Sequence, residues 1–186
     1  MPRQIRISKE DIINTTVDIV RRSGDQAINA RTIAAALNCS TQPIFSNFDT
    51  MDQLRLAVVE RADKMCQEYM DREMKRGEYP IYKANGMAYI RFAKEESELF
   101  KLLYMRDRSQ ETSSEESPTF NQMEIIVHNN TGLESAEARL FHLEMWAYVH
   151  GIATMFATGF LDLDWELVSK MLTDAYQGLR KQYGME

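Results

Sequence analysis

The chain has 186 residues, 44% of them apolar, with 12 Met but only 8 Gly and 4 Pro, and 28 Asp and Glu outweigh 22 Lys and Arg for a net charge of −6. That is long enough for one large or two small domains with a buried core, and the composition favours helices with little turn chemistry between them. No alternating Val, Ile and Thr run points to a sheet, and the longest uncharged run, 145–161, falls short of the roughly 20 apolar residues a membrane span needs, so an all-α chain with no membrane role is expected. With no secretory leader ahead of them, Cys39 and Cys66 are expected to be reduced packing residues in a cytoplasmic protein.

The acidity is uneven. Residues 1–50 carry six Lys and Arg against five Asp and Glu, whereas residues 51–186 carry 16 against 23. Arg3, Arg6 and Lys9 at the start form either a basic arm able to reach phosphates or a solubilising tail.

Ser8-Lys-Glu-Asp11 resembles a capping box and opens a first helix that ends near Gly24, with Ile12, Ile13, Thr16, Val17 and Val20 as its buried face. Asn29 is suited to cap a second helix carrying Ile33, Ala34 and Leu37, and Asn38 suits the left-handed position that ends it. Ser40 or Thr41 then caps a third helix. Pro43 removes an N–H in its first turn and biases Gln42 away from helical angles, so the cap is ambiguous between the two. Ile44, Phe45 and Phe48 are expected to pack, leaving Thr41, Gln42, Ser46 and Asn47 as a small polar face. A helix, a short turn and a second helix with an exposed polar face is the layout of a DNA-reading helix-turn-helix.

Thr50-Met-Asp-Gln53 reads as a second capping box, starting a long helix that keeps Leu54, Val58, Ala62, Met65 and Tyr69 in register on the way to Gly77. It spans on the order of 40 Å and would transmit movement at its far end to the polar helix at its near end. Pro80 opens a helix with Met87, Tyr89, Ile90, Phe92 and Ala93, and Ser97 is the expected cap of another through Phe100, Leu103 and Tyr104. Residues 107–116 contain no apolar side chain and read as a mobile loop. Ser117-Pro118 marks a further helix start, with Phe120, Met123, Ile126 and Val127 on one face up to Gly132.

From Ser135 runs the most apolar helix, whose Leu140, Phe141, Leu143, Met145, Trp146, Tyr148, Val149, Ile152, Met155 and Phe156 cover nearly its full circumference. Such a helix must be covered on two sides. The last helix, from about Asp164 to Tyr183, is amphipathic, and the two together are what a symmetric four-helix dimer interface needs, with Ala147, Gly151 and Ala157 permitting close approach.

From Ile33 to Leu54 the chain reads I-A-A-A-L-N-C-S-T-Q-P-I-F-S-N-F-D-T-M-D-Q-L, which resembles the TetR family pattern I-A-x-x-L-G-V-S-x-x-x-L-Y-x-H-F-x-x-K-x-x-L at unbroken spacing. Trp146 to Gly151, W-A-Y-V-H-G, is similar to a segment of the ligand-binding domain in one branch of that family. The resemblance implies a homodimeric, ligand-responsive transcriptional regulator, expected to repress. Its DNA-binding domain would occupy residues 1–50, and its effector-binding and dimerisation domain residues 51–186. A palindromic double-stranded operator with half-sites roughly 34 to 36 Å apart follows from the two-fold symmetry.

The DNA contacts are expected from Arg31, Ser40, Thr41, Gln42, Phe45, Ser46 and Asn47. Gln42 is suited to adenine, and Arg31 either to a phosphate or to an ion pair with Asp25. Where the family commonly has Tyr, His and Lys this chain has Phe45, Asn47 and Met51. Phosphate contacts are thereby lost, and modest DNA binding with a shallow salt dependence is expected. A helical small-molecule-binding or protein-interaction dimer with weakened DNA binding is the alternative.

Tyr89, Phe92, Phe100, Tyr104, Met123, Phe141, Met145 and Tyr148 are expected to line an effector pocket between helices, for an apolar or aromatic molecule. His142 and His150 are too far apart on one helix for neighbouring ligation, and His128 has no Cys or His at ligand spacing, so no metal is expected. No catalytic constellation or phosphate-binding glycine loop is recognisable; neither a cofactor nor an enzymatic activity is expected.

Overall fold

The computed structural model describes residues 7–107 and 118–185. Among these the regular structure is helical, with no strand: α1 (Lys9–Ser23), α2 (Ala30–Ala36), α3 (Gln42–Asn47), α4 (Met51–Arg76), α5 (Ile81–Glu95), α6 (Ser97–Tyr104), α7 (Pro118–Thr131), α8 (Ser135–Ala157) and α9 (Trp165–Gln182). The all-α expectation holds. The N-terminal Arg3 and Arg6, residues 108–116 of the expected loop, and Ser117 lie outside the described residues.

Two compact units divide the chain. One comprises residues 1–67 and 96–106, the other residues 68–95 and 107–186, so the chain passes between them inside α4.

In the first unit α1 packs on α2, α3 and α6. The Ser8 capping box forms: Ser8 Oγ accepts from Asp11 N–H at 3.1 Å, and Asp11 Oδ2 accepts from Ser8 N–H at 2.8 Å. Asn29 Oδ1 accepts from Thr32 N–H at 3.0 Å, capping α2. That helix ends with Asn38 at φ 51°, while Asn38 N–H reaches Ala35 O and Cys39 N–H reaches Ala34 O. This is a Schellman ending, and Asn tolerates the left-handed angle better than a β-branched residue would.

The buried face of α1 keeps the expected Ile12, Thr16, Val17 and Val20 and adds Ile19, whereas Ile13 is half-buried, as is Leu37 at the end of α2. Ile28, 3% exposed, enters the core from the turn before α2. There the Arg55 guanidinium donates to the carbonyl of Ile28 at 3.1 Å and, at 3.4 Å, to that of Asp25, which also accepts from the Ile28 N–H.

Three caps differ from expectation. Thr41 occupies the N-cap position of α3 with helical angles, φ −73° and ψ −13°, and its hydroxyl caps nothing. Its carbonyl accepts from Ile44 N–H instead, Pro43 has no N–H to satisfy, and Gln42 is helical despite the proline that follows. Ser97 lies inside α6, where Glu96 holds the N-cap position and directs its carboxylate to Arg21. At α4, Gln53 N–H donates to Thr50 Oγ1 at 3.2 Å, but Gln53 Oε1 accepts from Asp49 N–H rather than from that of Thr50.

In the second unit α5 packs on α8, α9 and α7, and α8 also contacts α7 and α9. At Gly86 the α5 backbone faces Leu172 and Val149 closely enough that a Cβ there would be in ordinary van der Waals contact, 3.4 Å, with both side chains. A cluster of Val127, Leu133, Ala138, Phe141 and Met145 is covered by Tyr82, Tyr176, Leu179 and Tyr183. Asp164 Oδ1 caps α9 by accepting from Leu167 N–H at 2.8 Å. Along α8, Leu140, Tyr148 and Met155 remain exposed at 50%, 39% and 38%, so one strip of this apolar helix has no cover among the described residues.

Candidate nucleic-acid interface and effector unit

Helix α3 is six residues long and turns only three side chains outward: Gln42, Phe45 and Ser46. Ile44 is fully buried and Pro43 half-buried, which anchors the opposite side. Phe45 is 52% exposed, contrary to its expected packing role. Its angular position, one residue beyond buried Ile44 on so short a helix, carries it away from the core that Ile44 and Phe48 enter.

The outward groups differ in how free they are. Ser46 Oγ donates to Gln42 O at 2.9 Å, and Asn47 Nδ2 donates to Pro43 O at 2.7 Å, so both side-chain donors hold α3's own backbone. Gln42 is exposed and its amide makes no hydrogen bond among the described residues. Arg31, exposed near the start of α2, likewise lacks an intramolecular partner there, and the alternative ion pair with Asp25 does not form. Ser40 is exposed and Thr41 half-buried in the turn. Met51, in the first turn of α4, is half-buried.

The eight aromatic and Met positions expected to line one pocket are divided between the two units. Phe100 and Tyr104 belong with α1–α4, their rings 5.0 Å apart, and the Tyr104 hydroxyl lies 3.6 Å from Cys66 Sγ. Burial pushes the Cys66 thiol up to about 12, which leaves it an unreactive packing group. The other six lie in the second unit. Phe92 meets Tyr69 edge-on at 5.3 Å, Phe141 meets Tyr176 edge-on at 5.3 Å, and Met123 and Met145 are buried, whereas Tyr148 points to the exposed strip of α8.

The polar groups of that unit were missed. Tyr82 of α5 places its hydroxyl 2.8 Å from Nδ1 of His142 on α8, and one level along the same pair of helices Tyr89 places its own 2.9 Å from Nδ1 of His150. Phe120 of α7 packs on the His142 ring at 4.3 Å, and Trp146 stacks on His150 at 5.0 Å. Burial lowers both imidazoles, His142 to about 4, and raises the Tyr82 hydroxyl. Both pairs are therefore neutral at ordinary pH, and they offer hydrogen-bonding chemistry inside an otherwise apolar unit. The two tyrosines stand seven apart on α5 and the two histidines eight apart on α8, a pattern that pairs them only once the two helices lie side by side.

A surface cleft between α7 and α8, lined by Glu124, Ile125, His128, Glu134, Ser135 and Ala138, contains none of the expected residues. Among the described residues no group of three or more His, Cys, Asp or Glu is assembled to hold a metal ion, and no helix is long and apolar enough to cross a membrane.

A short helix with an outward polar and aromatic face, preceded by a tight turn and followed by a separate helical unit, defines the helix-turn-helix class of helical regulators. Residues 82–175, just over half of the chain, match the family model described as the tetracyclin repressor-like C-terminal domain. The chain belongs to the TetR family of transcriptional regulators. Its fold is similar to the crystal structure of a TetR-like transcriptional regulator from Rhodococcus sp. RHA1, with a TM-score of 0.69, 16% sequence identity, and 96% of this chain and 98% of that one covered. Comparison with curated proteins finds no match.

Proposed function

We propose that this regulator is a ligand-responsive repressor that binds a palindromic operator as a homodimer. Residues 1–50 supply the DNA contacts, and residues 51–186 supply the effector site and dimer interface. The reading is carried by the outward face of α3, where Gln42 is exposed and makes no hydrogen bond among the described residues, and by Arg31 of α2, which is exposed and likewise without a partner among them. A free amide on a reading helix suits adenine N6 and N7, and a free guanidinium suits a backbone phosphate.

Support for the dimer comes from the uncovered strip of α8. Leu140, Tyr148 and Met155 are exposed along it, and a Cβ added at Gly151 would meet nothing within 4 Å of its own chain. A second copy packing α8 and α9 against this strip would bury it and close a four-helix interface. The effector is read as an apolar or aromatic molecule from Tyr89, Phe92, Met123, Phe141 and Met145, with the Tyr–His pairs adding hydrogen-bonding partners. A chain that acts on genomic DNA works in the cytoplasm of a bacterium.

Selection of binding sites from a random DNA pool tests the reading. A recovered inverted repeat, bound by the wild type and not by Gln42→Ala, supports it. Recovery of no sequence even at low salt would favour the helical small-molecule-binding or protein-interaction dimer instead.

A further inference from the structure

We infer that Phe45 reads the methyl group of thymine, which makes it a determinant of operator sequence; this rests on the DNA-binding reading above. A six-residue α-helix is only about 9 Å long and can bring few side chains to base edges. Here the outward residues are Gln42, Phe45 and Ser46, and the Ser46 hydroxyl already donates to the Gln42 carbonyl. Gln42 and Phe45 are thus the outward side chains of α3 that no backbone bond engages. They stand three residues apart, as neighbours on one face, with a rise of about 4.5 Å between them.

Phe45 has no hydrogen-bonding group, so it cannot use the donors and acceptors of the major groove. The apolar feature that a base pair displays there is the C5-methyl of thymine. Exposure of 52% leaves the ring accessible to it, in a unit whose other aromatic α3-region side chain, Phe48, is 3% exposed. Gln42 reading adenine and Phe45 reading thymine, about 4.5 Å apart in rise against about 3.4 Å per base-pair step, would place neighbouring A·T pairs under α3 in each half-site. The ring would also give up its contact with water on docking, so an otherwise unfavourable exposed aromatic becomes a source of affinity.

Uracil substitution isolates the methyl group without disturbing base pairing. Starting from the selected operator duplex, each thymine of one half-site is replaced in turn by uracil, and affinity is measured for the wild type and for Phe45→Ala. Loss of one buried methyl predicts a drop of about three- to fivefold at one or two positions for the wild type. Phe45→Ala should bind thymine and uracil duplexes equally, with an unchanged far-UV circular dichroism melt because the side chain is not in the core. Wild-type binding that is indifferent to uracil at every position would overturn the inference, and so would Phe45→Ala retaining the discrimination; in either case the operator binding itself stands. Failure to select any sequence at all would instead overturn the DNA-binding reading on which the inference rests.

Discussion

The Tyr82 hydroxyl sits 2.8 Å from Nδ1 of His142, a hydrogen bond between α5 and α8 in a unit whose other contacts between these helices are largely apolar. Burial holds the imidazole near 4, against 6.5 for the free side chain. Between these values the unfolded chain takes up a proton that the folded chain does not. Stability therefore falls as pH drops from about 6.5 toward 4, then levels off for this group below both values. At roughly 1.4 kcal/mol per pH unit the full effect is about 3.5 kcal/mol. Urea melts at stepped pH should show it, and the paired variant Tyr82→Phe with His142→Phe should flatten this part of the profile. Each single variant leaves a buried polar partner alone and should cost about 1 to 3 kcal/mol, whereas the pair should cost less than the sum.

Arg31 and Gln42 are expected to fail in different ways. Gln42→Ala should weaken binding to the selected operator by about 1 to 3 kcal/mol and relax preference at one base pair, with little change on unrelated DNA. Arg31→Ala should weaken both by similar factors and reduce the slope of log affinity against log salt by about one. With Phe45 and Met51 offering no side-chain hydrogen bond or charge, the wild-type slope itself should be shallow. Titrations by fluorescence anisotropy from low to physiological salt check all three statements.

Arg21 meets Glu96 through two hydrogen bonds, Nε to Oε2 at 2.8 Å and Nη2 to Oε1 at 2.7 Å, and joins α1 to the start of α6. The carboxylate is only 14% exposed, so removal of its partner strands a partly desolvated charge. Arg21→Ala should lower stability by about 1 to 2 kcal/mol, read as a fall in Tm of a few degrees. Arg21→Lys should recover only part, because a lysine cannot reproduce the paired geometry.

Gly151→Arg should leave the fold intact, since a side chain there meets nothing of its own chain within 4 Å at the Cβ. If α8 faces a second copy, the same substitution blocks the close approach and sedimentation should report a monomer. A dimer of unchanged stability would exclude this face from the interface.

Much of the fold was legible because local rules decided it. Ser8, Asn29 and Asp164 cap where their side chains are suited to cap, and Asn38 adopts the left-handed angle that ends α2. What was misread depended on tertiary geometry. Phe45 looks like packing by residue type, yet a one-residue step around a short helix moves it from core to surface. Phe100 and Tyr104 are apolar at helical spacing, but α6 belongs to the first unit and the aromatic residues of α5 and α8 to the second. Ser46 and Asn47 look free in sequence and are occupied in space by the carbonyls one turn back. The Tyr–His pairs required two helices to be set side by side, which spacing along either one does not fix.

The interleaving of the two compact units has a practical consequence. The chain passes from one to the other inside α4, returns between Glu95 and Glu96, and leaves again after Arg106. A chimaera cut at residue 50, intended to graft these DNA contacts onto a foreign sensor, would strip α1 of α6 and leave Glu96 behind with the donor. Any workable exchange has to carry residues 96–106 along with residues 1–67, as a two-segment transplant.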